Sequence, residues 1–127
     1  MSIEYERIVH IWKNPPNRGE IKDADLVAEG ANPICGDKVK IFLKIKGGKI
    51  VDASFTGEGC AISIASASLL LDYANGKSIE EIKKLDKEKI MELLELDLSK
   101  NPSRLKCALL PLATLKNLKN KEERPGQ

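Results

Sequence analysis

The sequence predicts a single soluble domain that combines a few strands with several helices. Three observations carry that reading. Tyr5, Ile8, Val9 and Trp12 near one end, and Leu105, Ala108, Leu109, Leu112 and Leu115 near the other, recur at the spacing of one helix face. Between them Val39, Ile41, Leu43 and Ile45 alternate with Lys38, Lys40, Lys44 and Lys46, the pattern of a strand with one packed and one wet side, which Phe42 alone breaks. At 127 residues, 42% hydrophobic and 31% charged, the chain can bury one core and is neither a disordered segment nor a membrane protein. Residues 1–120 are read as the domain and 121–127 as a flexible polar tail.

The opening helix stops at Asn14-Pro15-Pro16, because proline lacks an amide donor and restricts the residue before it. After a polar connector, Leu26-Val27-Ala28-Glu29 is read as a short strand leading into a turn at Gly30-Ala31-Asn32-Pro33, which presents Cys35-Gly36-Asp37. The alternating strand turns back at Gly47-Gly48, where glycine supplies the positive φ angles of a tight hairpin. The returning strand, Lys49 to Thr56, sets Val51, Ala53 and Phe55 on one side. Gly57-Glu58-Gly59-Cys60 closes it, and a helix from about Ser63 to Ala74 follows, stopped by Asn75-Gly76. Ser78 and Glu81 have the form of a capping box for a short helix through Ile79, Ile82 and Leu85, and Lys87 to Glu95 is another helix. Ser103, after Pro102, is read as the cap of the last helix, with Pro111 expected to kink it.

Several function classes are excluded by composition. Lys and Arg total 21 against 19 Asp and Glu, a formal charge of +2, too small and too evenly spread for a general attraction to nucleic acid; aromatic residues at 4% offer no base-stacking surface. No P-loop, dinucleotide-binding glycine pattern or Ser/His/Asp set is present. His10, the only histidine, lies in the first helix, and packing or solvent exposure accounts for it. The longest apolar stretch, Ala108 to Ala113, is far short of a membrane span, and Met1 to Ile11 carries Glu4, Glu6, Arg7 and His10, unlike a secretory signal. A cytoplasmic protein is expected. Three cysteines suit no secreted disulfide framework, so thiol or metal chemistry is the place to look.

Each thiol stands at a junction: Cys35 in a loop before a strand, Cys60 between strand and helix, Cys107 in what is read as the first turn of a helix. Gly36, Gly57 and Gly59 let backbone amides come close, and helix starts near Cys60 and Cys107 offer unpaired N–H groups that favour a thiolate. With Asp37 two residues after Cys35, the set supplies three sulfur donors and one oxygen, enough for four-coordinate Zn²⁺ or a small iron–sulfur cluster, although spacing alone does not bring them together. Four anionic groups with one doubly positive centre leave about two negative charges, which Lys38, Arg104 and Lys106 are near enough in sequence to offset. The alternatives are cysteines acting as small buried hydrophobes and lysines that are simply solvated.

Asn32-Pro33-Ile34-Cys35-Gly36-Asp37, then Gly57-Glu58-Gly59-Cys60-Ala61-Ile62-Ser63 followed by Ala65-Ser66-Ala67-Ser68, then Arg104-Leu105-Lys106-Cys107-Ala108 together resemble the iron–sulfur cluster scaffold family of IscU, SufU and the amino-terminal domain of NifU. The resemblance covers nearly the whole chain. It implies an α+β fold, a small, mainly antiparallel three-stranded sheet covered by helices, with Cys35, Asp37, Cys60 and Cys107 gathered at one end as ligands. IscU-type members have histidine before the third cysteine and a Leu-Pro-Pro-Val-Lys segment upstream, where this chain has Lys106 and Asn101-Pro102-Ser103-Arg104. Pro-Ser-Arg-Leu-Lys-Cys is similar to SufU, but the insertion usual in SufU between the second and third cysteines does not fit the interval here.

The function the resemblance implies is a cluster-assembly scaffold, not itself an enzyme. It would take sulfur from a cysteine desulfurase and iron from a donor, hold a transient [2Fe–2S] cluster, and pass it to apo-protein recipients. Cys35 and Cys107 are the candidate persulfide acceptors. The alternative is a zinc-dependent sulfurtransferase in which Zn²⁺ occupies the same four ligands. Self-association is left open, and neither nucleic acid nor membrane is expected as a partner.

Overall fold

A computed structural model describes residues 3–33 and 36–117. Helix α1 (Ile3–Lys13) is followed by a connector and three strands, β1 (Leu26–Asn32), β2 (Asp37–Lys46) and β3 (Lys49–Glu58), and then by α2 (Ala61–Ala74), α3 (Ile79–Lys83), α4 (Lys87–Leu94) and α5 (Pro102–Lys116). The strands form an antiparallel meander in the order β1-β2-β3. Helices α2 and α5 pack against each other and against the sheet, α2 on β3 and α5 on β1 and β2, while α1 and α4 flank α2. This is the α+β arrangement expected. Among the described residues no helix is long and apolar enough to cross a membrane, and the tail at 121–127 lies outside them.

The β2–β3 hairpin forms where the alternation put it, with Gly47 and Gly48 at φ 62 and 78 and Lys46 opposite Lys49. Its register then slips by one residue, because Lys44 faces Asp52 while Ile45 faces Ile50. That bulge replaces Val51 by Ile50 in the expected inward set of β3. Ile50 is buried and Val51, the extra residue, is 47% exposed, while Ala53 and Phe55 keep to the inner side. On β2 the inner residues Val39, Ile41 and Leu43 are buried as expected, but Phe42 is buried too, on the lysine face. The connector reaches that face: it pairs with β3 through Asn17 and Gly19 at Phe55, and its Asp23 accepts from the Lys44 ammonium at 3.0 Å before Asp25 begins the approach to β1.

Gly30, Ala31 and Asn32, read from sequence as a turn, extend β1 instead and pair with Val39, Lys38 and Asp37. Ladder pairing outweighs the local turn tendency of these residues. Gly30 is glycine because a Cβ there would run into the Thr114 side chain, so α5 lies directly on β1. Thr114 and Cys107 are two helical turns apart and share a face, and the same contact therefore aims Cys107 at the sheet.

Helix α2 is buried nearly all round, which its small residues permit. Its buried serines find partners: Ser66 bonds the Ala108 carbonyl of α5, and Ser68 and Asn17 exchange two hydrogen bonds, at 2.8 and 2.9 Å. The Ser78–Glu81 capping box is formed, and α4 ends at Leu94 with Glu95 in the left-handed region at φ 58. Two helix details differ from expectation. The cap of α5 is Asn101, whose side chain accepts from the Arg104 amide at 3.3 Å, and Pro102 takes the first helical position, to which proline is suited. Helix α1 turns its Ile8–Ile11 side inward, leaving Tyr5 and Trp12 each 40% exposed, because Arg7 is tied to α4 through the Leu93 and Leu94 carbonyls and Glu95.

Candidate metal centre

Three of the four expected ligands lie among the described residues, and the fold brings them together from three elements. Asp37 opens β2, Cys60 is the residue before α2, and Cys107 is in α5. Their donor atoms all lie within 4.8 Å of one another. Cys35 lies outside the described residues.

Asp37 is only 2% exposed. Its Oδ1 accepts from the Cys60 amide at 3.1 Å, and its Oδ2 stands 3.9 Å from the Cys60 sulfur. The Cys60 side chain makes no capping bond to α2, so the carboxylate from β2 takes up an orphan amide at the helix start. That amide was expected to favour a thiolate, and it serves the carboxylate instead. The two oxygens are thereby distinguished: one is held by backbone, and the other stands beside the Cys60 sulfur.

The donors open into a cavity of about 330 Å³ lined by Gly36, Asp37, Gly59, Cys60, Ser103, Arg104 and Cys107. Cys60 is half-buried and Cys107 is 5% exposed. Cys107 does not occupy the first turn of its helix, as had been expected, because α5 starts at Pro102 and the thiol falls in the second turn. Ser103 and Arg104 precede it by four and three residues, which stacks both on the Cys107 face. Ser103 therefore lines the cavity, and helical spacing from Cys107 is the signal that finds it. The basic residues divide. Arg104 lines the cavity, Lys106 is exposed and outside its lining, and Lys38, exposed, lines a separate groove across the same end of the sheet, between Glu29 to Ala31 of β1 and Thr56 to Glu58 of β3.

Two soft donors, one hard donor and room for more suit Zn²⁺ or iron held by thiolates, since spacings under 4.8 Å need only small side-chain movements to close on one centre. Residues 3–123 match the model of the NifU-like N-terminal domain. The chain belongs to that family. A Thermotoga maritima iron–sulfur cluster assembly scaffold protein IscU is 38% identical, covering 94% of each chain. The zinc-dependent sulfurtransferase SufU of Bacillus subtilis is 37% identical, covering 91% of this chain and 88% of its own. Among solved structures, a SUF-system scaffold protein for iron–sulfur cluster assembly from Fervidobacterium islandicum superposes with a TM-score of 0.75 at 34% identity, covering 91% of this chain and 93% of the other. The NifU-like amino-terminal protein of Brucella abortus, 20% identical at the same TM-score, shares the fold. Relatives of this NifU-like family thus carry names from both the scaffold and the zinc branches.

Proposed function

We propose that this chain is a scaffold for iron–sulfur cluster assembly, with Cys35, Cys60 and Cys107 as thiolate ligands and Asp37 as the fourth. The observation that carries the reading is the convergence of Asp37, Cys60 and Cys107 on a cavity that opens to solvent, where cargo can enter and leave. The cluster is cargo. Sulfane sulfur passes from a cysteine desulfurase persulfide to Cys35 or Cys107 as the desulfurase thiolate leaves, an external electron donor supplies two electrons per sulfur to release it as sulfide, iron comes from a donor, and the assembled [2Fe–2S] unit leaves for an apo-protein. Carboxylate oxygen binds iron less firmly than thiolate does, which suits the ligand that must let go. Arg104 at the cavity wall offsets part of the negative charge of the thiolates. The desulfurase docks over the thiol end and α1, where Trp12 is exposed; charge reversal or truncation within residues 3–13 that leaves complex formation intact refutes that surface.

A zinc-dependent sulfurtransferase is the second reading, favoured by the identity to the Bacillus subtilis protein and by Ser-Arg-Leu-Lys-Cys in place of a histidine before the third cysteine. There the four ligands would hold Zn²⁺, and a thiolate freed from it attacks the outer sulfur of the desulfurase persulfide, forming a persulfide on this chain as the desulfurase thiolate leaves. Anaerobic isolation followed by iron, zinc and acid-labile sulfide analysis separates the two. Iron with equimolar sulfide supports the scaffold, and zinc without sulfide supports the relay.

A further inference from the structure

We propose that Gly59 is the positioning residue that seats Asp37 as a ligand; the inference rests on the reading of Asp37 as a metal ligand. Gly59 is solvent-exposed, and its φ is outside the left-handed region, so neither core crowding nor backbone conformation calls for glycine there. What calls for it is the carboxylate. A Cβ on Gly59 would lie 2.7 Å from Asp37 Oδ1 and 3.0 Å from its Cγ, and 2.5 Å from Ser63 Oγ. The Ser63 hydroxyl, bonded to the Cys60 carbonyl at 3.2 Å, can rotate away at the loss of that bond. Asp37 has no such freedom, because its side chain is buried and its Oδ1 is held by the Cys60 amide. To make room it must turn, which releases the amide and swings Oδ2 out of its place beside the Cys60 sulfur. The neighbouring Gly57 answers a different need: a Cβ there would strike the Lys38 backbone carbonyl across the sheet, a requirement of the fold alone.

The test is Co²⁺ binding by the reduced full chain, read as affinity by chelator competition and as the visible absorption of the bound ion. Gly59→Ala should weaken Co²⁺ binding about 10–100-fold and alter the spectrum, the size expected when the support of a ligand is lost. Gly59→Ala combined with Ser63→Ala should show the same loss, because the Asp37 clash persists. In an Asp37→Ala background, Gly59→Ala should change affinity by less than about twofold. Wild-type affinity and spectrum in Gly59→Ala, or an equal loss with and without Asp37, would overturn the proposal. If Gly59→Ala alone fails to fold, recovery of folding on adding Asp37→Ala supports the clash, and failure of both variants to fold contradicts it. An unchanged Asp37→Ala protein defeats the reading of Asp37 as a ligand and the Gly59 proposal with it. A weakened Asp37→Ala beside an unchanged Gly59→Ala defeats only the latter.

Discussion

Asp37 gives one oxygen to the Cys60 amide and turns the other toward the Cys60 sulfur, while helical spacing in α5 decides which positive charge the site feels. Arg104 lines the cavity and Lys106 does not, although both are basic and both are near Cys107 in sequence. Arg104→Ala should weaken Zn²⁺ binding about two- to fivefold at low salt, with the difference closing as ionic strength approaches 1 M, because an exposed charge acts through screened solvent. Lys106→Ala should leave binding unchanged. Competition titrations against a chromophoric chelator at two salt concentrations measure both. The distinction was legible once the helix start was known, since three residues is one turn and one residue is not. The convergence of Asp37 with Cys60 and Cys107 was not legible from spacing, because 23 residues of strand and turn separate Asp37 from Cys60. Only the family resemblance anticipated it.

Elements hold these residues at their angles, and the contact of β1 with α5 is the most exacting of them. Gly30→Ala should cost about 1–3 kcal/mol by overpacking against Thr114, and Thr114→Ala in the same chain should recover most of it, because the threonine hydroxyl is the atom nearest the added methyl. Urea denaturation of the two variants and the double variant tests this. Helix α3 depends on charge instead. Glu81 accepts from the Ser78 amide at 2.7 Å, and that bond, the largest of several effects, holds its carboxyl below the ordinary glutamate value. A carboxyl depressed on folding adds stability above its unfolded pKa and loses it as pH falls through the folded one. Glu81→Gln should therefore be less stable than the parent at pH 7, with the gap narrowing below about pH 4 in thermal melts. The capping box was readable because it spans four residues. The bulge that turned Ile50 inward and Val51 outward was not, since it belongs to a register between two strands, and neither was the rotation of α1, which is set by Arg7 on the distant end of α4. Asn101 displaced Ser103 as the α5 cap because Pro102 fits the first helical position, two residues earlier than the serine reading required.

For the molecule as a whole, the candidate ligands tie β2, the start of α2 and α5 into one knot, so metal binding and folding are linked. Zn²⁺ at 100 times its dissociation constant should add about 2.7 kcal/mol, or roughly 10 °C in Tm for a domain of this size. Cys107→Ser should abolish that increment while shifting the metal-free melting temperature far less. The proposed release of a cluster from this site turns on the chemistry of Asp37. The most direct measurement is transfer of a reconstituted [2Fe–2S] cluster to an apo-acceptor, followed by absorbance under anaerobic conditions, for the wild-type chain and Asp37→Ala side by side. The scaffold account predicts slower transfer and a longer-lived cluster on Asp37→Ala, because the exchangeable oxygen ligand is gone. Transfer as fast as wild type, or faster loss of the cluster, would contradict it.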